Sequence, residues 1–213
     1  VVSVSMPNTI DSIGKDAFAS CSYLADVSVS NSLRDIGVGA FGGCSIGEFI
    51  CPPSLKIIRE KAFQYANITS ITLNDSLETI DAAAFTYTPL LTLYIPASVR
   101  NINRAICNGT TLSCIVVDPN NPYFDSRDNC NAIINYMGVL MQGCKNTIIP
   151  VGTTDIYNSA FEGCNLGTVV LPSSVRRINF TWTHINRIVI SSPYLSINTS
   201  LNCDTLQFII ETT

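Results

Sequence analysis

Ile36-Gly37-Val38-Gly39-Ala40-Phe41-Gly42-Gly43-Cys44 is a phrase that this chain repeats. Ile13 with Ala17-Phe18 and Cys21 comes before it. Ile58 with Ala62-Phe63, Ile80 with Ala84-Phe85, and Ile156 with Ala160-Phe161 and Cys164 follow in the same internal spacing. Phe18, Phe41, Phe63 and Phe85 stand 23, 22 and 22 residues apart. A period in the twenties is the signature of a solenoid, in which each coil has an apolar face that only a neighbouring coil can cover.

About ten residues beyond each Ala-Phe pair the chain alternates apolar and polar residues, at Leu24 to Val29, Ile46 to Cys51, Ile68 to Leu73 and Leu90 to Ile95. Alternation predicts a strand with one buried face. Val4 and Met6, Val27 and Val29, Phe49 and Cys51, Ile71 and Leu73, and Leu93 and Ile95 are then the inward residues. Coils of one direction put these strands into a parallel sheet along one side of the tube. Pro7, Pro52-Pro53 and Pro96 mark the following turn, where a missing amide donor does no harm. The Ala-Phe segment is expected to form a short helical or 3₁₀ turn on the other side, with Phe filling the core.

Composition fits a stack. The 213 residues are 46% hydrophobic and only 13% charged, against about 25% charged in ordinary globular chains. Ser, Thr and Asn take the outer positions that Lys and Glu usually hold. A net charge of -4 argues against a nucleic-acid partner, which calls for a basic patch. No apolar run reaches the roughly 20 residues of a membrane span, so no membrane insertion is expected within this stretch. The start reads as the middle of a repeat, and the chain is expected to be a fragment or a processed form.

The rhythm breaks in the fifth coil. Ile102 keeps register, but Ile106-Cys107 replaces Ala-Phe, and the next full copy waits until Ile156. Between them lie a strand at Leu112 to Val117, a turn-rich loop from Asp118 to Asn129, and Cys130 to Tyr136 and Val139 to Gln142 flanking Met137-Gly138, which reads as a β-hairpin. Thr147 to Pro150 is expected to restore the solenoid strand, and Val169 to Pro172 to repeat it. After Ile178 the motif wears out at Phe180-Thr181-Trp182-Thr183-His184, with strands still expected at Ile185 to Ile190 and Leu206 to Ile210. Residues 1–213 thus read as one solenoid of about nine coils with a loop and hairpin insertion at about 118–145.

The unit I-x-x-x-A-F-x-x-C, closing on P-x-S-[LV] as in Ile156 to Val175, resembles the BspA-like leucine-rich repeat family of bacterial surface proteins. Asn121-Pro122 through Asp125 to Ile134, followed by Gly143 to Pro150, is similar to an insertion in members from Bacteroides-type bacteria. The resemblance implies a right-handed leucine-rich repeat solenoid, β-rich, in a secreted or cell-surface protein. It also implies an adhesin-like role toward a protein or glycan partner, with host extracellular proteins among the candidates.

Several constellations could carry chemistry. Gly43-Cys44-Ser45-Ile46-Gly47 matches the nucleophile elbow of hydrolases, with Asp155 and His184 following in chain order. An elbow needs a strand-to-helix turn, whereas Ser45 leads into a strand, and the same slot recurs at Cys21 and Cys164. His184 is the only histidine, which excludes a multi-histidine metal site. The nine cysteines include no C-x-x-C pair. Cys21, Cys44 and Cys164 share a slot with Ala66, Thr88 and Thr110, so packed free thiols are favoured there. Bridges between Cys21 and Cys44, or between Cys130 and Cys144, remain open. Asp118, Asn120, Asp125, Asp128 and Asn129 could offer oxygens to calcium, but the spacing is not that of an EF-hand and turn formation explains them. Asn67, Asn74, Asn108, Asn179 and Asn198 head glycosylation sequons of a kind that arise by chance in a Ser/Thr-rich chain. No residue is assigned a catalytic, cofactor or metal role.

The outward row of the strand face carries the most information. Read one residue per strand it runs Ser5, Ser28, Ile50, Thr72, Tyr94, Val116, Ile148, Val170 and Val189, polar at first and then mostly apolar. An exposed apolar stripe marks a contact surface. Ile50, Tyr94, Val116, Ile148, Val170 and Val189 are therefore the candidate partner-binding residues of a non-enzymatic module. The alternatives are a structural spacer displaying another domain and, remotely, a serine hydrolase.

Overall fold

The computed structural model describes residues 1–103, 105–191, 195–197 and 208–210. Its longest run of parallel pairing is made by the isoleucine that opens each Ala-Phe motif. Ser12–Ile13, Asp35–Ile36, Ile57–Ile58, Thr79–Ile80 and Asn101–Ile102 pair in that order. Ile13, Ile36, Ile58, Ile80 and Ile102 point inward and are buried, while their neighbours face out. Two residues per strand suffice because each coil contributes only one inward side chain at this position.

The alternating stretches form the second face, as three parallel pairs and one triplet. Ser3–Ser5 pairs with Asp26–Ser28, Glu48–Ile50 with Ser70–Thr72, and Thr92–Ile95 with Cys114–Val117. Asn165–Leu171, His184–Ile190 and Phe208–Ile210 make the triplet. Leu206, where the last strand was expected to begin, lies outside the described residues.

The Ala-Phe corner holds single 3₁₀-type closures and no continuous helix. Ala17, Ala19 and Cys21 donate back three residues to Gly14, Asp16 and Phe18, while the amides between them, Asp16, Phe18 and Ser20, donate to Val38, Ala40 and Gly42 of the next coil. The pattern recurs, with Lys61, Phe63 and Tyr65 donating to Ala82, Ala84 and Thr86. Left-handed φ at Asp16 and Ser20, Lys61 and Tyr65, and Ala83 and Tyr87 turns every second amide toward the neighbouring coil and stops a helix from propagating. Among the described residues the one 3₁₀ segment is Arg127–Asn129, and among them no helix is long and apolar enough to cross a membrane.

Inside the corner, Phe18, Phe41, Phe63 and Phe85 stand in single file. Successive ring centroids are 5.4, 5.4 and 5.8 Å apart with interplanar angles of 7, 12 and 17°. Phe49 of the strand face wedges edge-on against Phe63 at 5.0 Å.

The file ends where Cys107 takes the Phe position, and there the hairpin enters the stack. Ala132–Asn135 and Val139–Gly143 are antiparallel, Phe124–Asp125 pairs with the first of them, and Val139–Gly143 continues in parallel into Asp155–Ile156, Arg177–Ile178 and Ser196–Ile197. A register shift falls between Ile133 and Ile134. Ile133 joins the core of the first coils, and Ile134 joins a second core with Leu140, Phe161 and Phe180. Thr147 to Pro150 does not form the strand-face strand expected of it. After Cys144 the chain turns, and the Ile148 amide donates to Cys130.

The fully buried side chain of Gln142 spans this junction. Its Oε1 accepts from the Cys107 amide at 3.1 Å, and its Nε2 donates to the carbonyls of Ala160 at 3.1 Å and Gly143 at 2.9 Å. It does the work of a peptide group missing from the corner ladder. Gly143 beside it lies so close to Phe161 that a Cβ would collide with the ring.

Gln142→Leu leaves the Cys107 N–H and a carbonyl unpaired at about 1–3 kcal/mol each. The urea midpoint should fall, and the Cys107 amide should lose hydrogen-exchange protection. An unchanged midpoint would refute the splice. Phe63→Ala should destabilise by about 3–5 kcal/mol, read by the same melts.

Candidate functional site

The two long faces differ in polarity. Outward residues beside the isoleucine ladder pair across coils: Arg59 with Asp35 at 2.6 Å, Lys56 with Glu78 at 3.1 Å, Arg100 with Glu78, and Arg177 with Asp155. A hydrogen bond to Asp35 raises the Arg59 pKa, and one from Lys56 lowers that of Glu78. Burial pushes Asp155 up, but hydrogen bonds from Arg177 and Thr154 overcome it and hold the group below its ordinary value. Exposed pairs of this kind add little stability, yet they engage most of the charges beside the ladder.

On the strand face, apolar side chains are left uncovered. Ile50 is 63% exposed, Tyr94 47%, Val116 42% and Val170 54%. Tyr94 and Val116 are direct partners across two coils, so their side chains lie side by side. The Tyr94 hydroxyl donates to Asp118, which raises the tyrosine pKa and lowers that of the carboxylate. The ring is thereby held at a defined angle over the strand.

Two residues of the expected row do not extend it. Val189 is only 8% exposed. Its strand, His184–Ile190, is flanked on both sides by Asn165–Leu171 and Phe208–Ile210, whereas Val170 stands on the edge strand of that triplet. Ile148 is exposed but sits in the loop after Cys144, outside any strand.

The hydrolase constellation is not assembled. The Ser45 hydroxyl donates to the Ser22 carbonyl at 2.6 Å, Asp155 is paired with Arg177, and His184 is exposed on a strand pairing with Asn165. These groups belong to three separate coils. The acidic loop is engaged as well: Asp118 accepts from Tyr94 and Asn120, and Asp125 from Arg127. Among the described residues no cluster of three His, Cys, Asp or Glu side chains is placed to hold a metal.

The eight described cysteines are free thiols, with neither Cys21 and Cys44 nor Cys130 and Cys144 bridged. Burial pushes the pKa of Cys44 up to about 11, helped by nearby Cys21, and that of Cys51 up to about 12. Burial raises Cys107 further. Asn74 and Asn108 use their sequon amides internally, Asn74 donating to Pro52 and Leu55 and Asn108 to Glu162. Asn198 lies outside the described residues.

The row of strand residues misses a second exposed apolar feature, at the Ala-Phe corner. Tyr65 and Tyr87, one coil apart, stack at 4.8 Å and 6°. The signal was present in the repeat, since both stand two residues after the Ala-Phe phenylalanine, where Ser20 and Gly43 stand in earlier coils.

The chain matches the family model described as BspA type leucine-rich repeat region, in six copies over residues 1–113 and 124–210. Among solved structures it is similar to a leucine-rich cell surface protein from Faecalibacterium prausnitzii, at 23% identity and TM-score 0.66, over 92% of this chain and 60% of that one. It is similar to the pneumococcal vaccine antigen PcpA, at 16% identity and TM-score 0.76, over 100% of this chain and 80% of that one. A leucine-rich repeat protein from Bacteroides ovatus aligns at 23% identity and TM-score 0.63, over 96% of this chain and 56% of that one. This chain therefore spans somewhat over half the length of the Faecalibacterium and Bacteroides proteins. A search of curated proteins finds no match.

Glu78, Asp118 and Asp155 have lowered folded-state pKa values, so the stability they add is present above the ordinary carboxylate range and lost as pH falls through the folded values. The urea midpoint should stay level from about pH 8 to 5 and drop below about pH 4. A midpoint that rises between about pH 4 and 3 would contradict these pairings. Cys44, Cys51 and Cys107 should resist iodoacetamide at about pH 8 in the native state and label in urea. Mass spectrometry reads both, and rapid native labelling of these three would refute their burial.

Proposed function

The chain belongs to the BspA-type leucine-rich repeat family, and we propose that it works as a non-enzymatic, adhesin-like binding module of a secreted or cell-surface protein. The observation that carries this reading is the unequal dress of the two faces. Most charges beside the isoleucine ladder are engaged in cross-coil pairs, while Ile50, Tyr94, Val116 and Val170 leave apolar surface in water on the strand face. A partner gains most where desolvation removes apolar area and breaks no ion pair. The Tyr94 and Val116 pair is the centre of the surface, because its ring is already oriented by Asp118 and loses little freedom on contact. Ile148, in a loop, and Val189, buried, are not part of it.

The Faecalibacterium relative is described as a cell surface protein and the pneumococcal one as a vaccine antigen. Both descriptions favour an outside location for this chain too. The partner class that suits exposed apolar side chains spaced along a solenoid face is a protein surface, with host extracellular proteins the candidates. A pure spacer would leave no reason for these apolar side chains to stay uncovered.

Val116→Asp and Val170→Asp test the surface. Each should weaken binding to immobilised epithelial extracellular matrix at least tenfold in a plate assay. The urea midpoint should move no more than the ~1 kcal/mol spanned by strand propensity. Matrix binding that survives both substitutions would reject this face, and an unmutated protein that binds no matrix would leave the spacer reading in its place.

A further inference from the structure

At the Ala-Phe corner each coil carries a second left-handed residue, forming a column: Ser20, Gly43, Tyr65, Tyr87, Gly109, Gly163 and Trp182, with φ of 61, 71, 59, 58, 63, 79 and 55°. Glycine takes this conformation freely, whereas a bulky side chain does so under strain. Two adjacent coils nevertheless carry tyrosine there, both exposed, at 63% and 45%. Strain of this kind, retained in a repeat that uses glycine for this slot in three other coils, points to a use for the rings.

The rings are fixed. Tyr87 lies so tightly over Gly109 that a Cβ there would strike it, and Tyr65 stacks on Tyr87 at 4.8 Å. On the N-terminal side of Tyr65 the column goes on without rings, as Gly43 and Ser20. The vacancy is a trough of about 480 Å³, walled by Tyr65, floored by Gly43 and Ser20, and rimmed by Asp16, Lys61 and Gln64. That volume is within the ~300–1,000 Å³ range of small-ligand sites.

We propose that this trough is a saccharide subsite, in which a pyranose ring of a neutral glycan stacks on Tyr65 as the next member of the ring column. The C–H face of a pyranose is weakly positive and suits the negative face of an aromatic ring. Its hydroxyl edge needs mixed donors and acceptors, which the lysine, carboxylate, amide and hydroxyl of the rim supply. The charges are locally balanced, with Lys61 at 3.0 Å from Glu60 and Lys15 at 4.0 Å from Asp16, so the site has no excess charge to draw in an acidic sugar. A wall already locked by stacking surrenders little entropy on binding. A proline-rich peptide would need several aromatic ridges along a groove, and here there is one wall above a floor of glycine and serine. The subsite is separate from the strand-face surface, and the two proposals fail independently.

The test is saturation-transfer NMR with chitotriose, maltotriose and mannotriose, alongside 3′-sialyllactose and decaproline. At least one neutral trisaccharide should receive saturation at its ring C–H protons. Its Kd should rise at least tenfold in Tyr65→Ala, stay within about threefold in Tyr65→Phe, and be unchanged in Val116→Asp. Gly43→Tyr fills the trough with a ring. Tyrosine already adopts this backbone at 65 and 87, and a Cβ at Gly43 meets nothing closer than Ser20 Cα at 3.7 Å, so this variant should fold and lose binding. The proposal is overturned if no neutral trisaccharide binds, if binding persists in both Tyr65→Ala and Gly43→Tyr, or if only sialyllactose or decaproline responds.

Discussion

Each coil of this protein must lie in phase with the next, so that a phenylalanine finds a phenylalanine. The file from Phe18 to Phe85, with rings nearly parallel and under 6 Å apart, sets the axial repeat. The hydrogen bonds of the corner follow that repeat, alternate amides closing a turn and reaching the next coil. The left-handed residues are a consequence: only by reversing φ at two points per coil can the same short segment point amides both backward and sideways. Burial supplies the attraction between coils, and the amide pattern sets which coil heights are allowed.

Where the phenylalanine is missing, the stack needs another way to stay in phase. Cys107 is too small to continue the file, and the hairpin inserts there, dividing the apolar interior between Ile133 on one side and Ile134 on the other. A two-core tube risks leaving corner amides unpaired at the seam. Gln142 removes that risk by presenting an amide side chain as a substitute peptide group to both halves. Gly143 makes the room, since Phe161 restarts the aromatic packing against its bare Cα. The continuity of the solenoid across the insertion therefore rests on a polar side chain buried within an apolar wall, which is stable only because all its hydrogen bonds are made.

A repeat that solves its packing identically in every coil is free to vary its outside. The isoleucine-ladder side uses that freedom for ion pairs, the strand side for uncovered Ile50, Tyr94, Val116 and Val170, and the corner for a strained tyrosine pair. Low overall charge makes the contrast sharper, because several of the few acids and bases are committed to one another along that side. Recognition by such a surface depends on the sum of several modest contacts along the stack, the usual habit of solenoids.

The Ala-Phe rhythm, the inward side chains and the hairpin were all legible before any coordinates, because a 22-residue apolar period can be buried only by stacking. What the residues could not disclose was how many neighbours each would have. Val189 and Val170 are equivalent by pattern, yet one lies on a central strand and is buried while the other stands at an edge in water. Ile148 reads as a strand residue, but after Cys144 the chain turns and its amide is taken by the Cys130 carbonyl of the insertion, a contact set by assembly. Periodicity belongs to the chain and is written in its order. Exposure, the seam at Gln142 and the tyrosine wall arise between coils, and depend on which stretches the finished stack brings side by side.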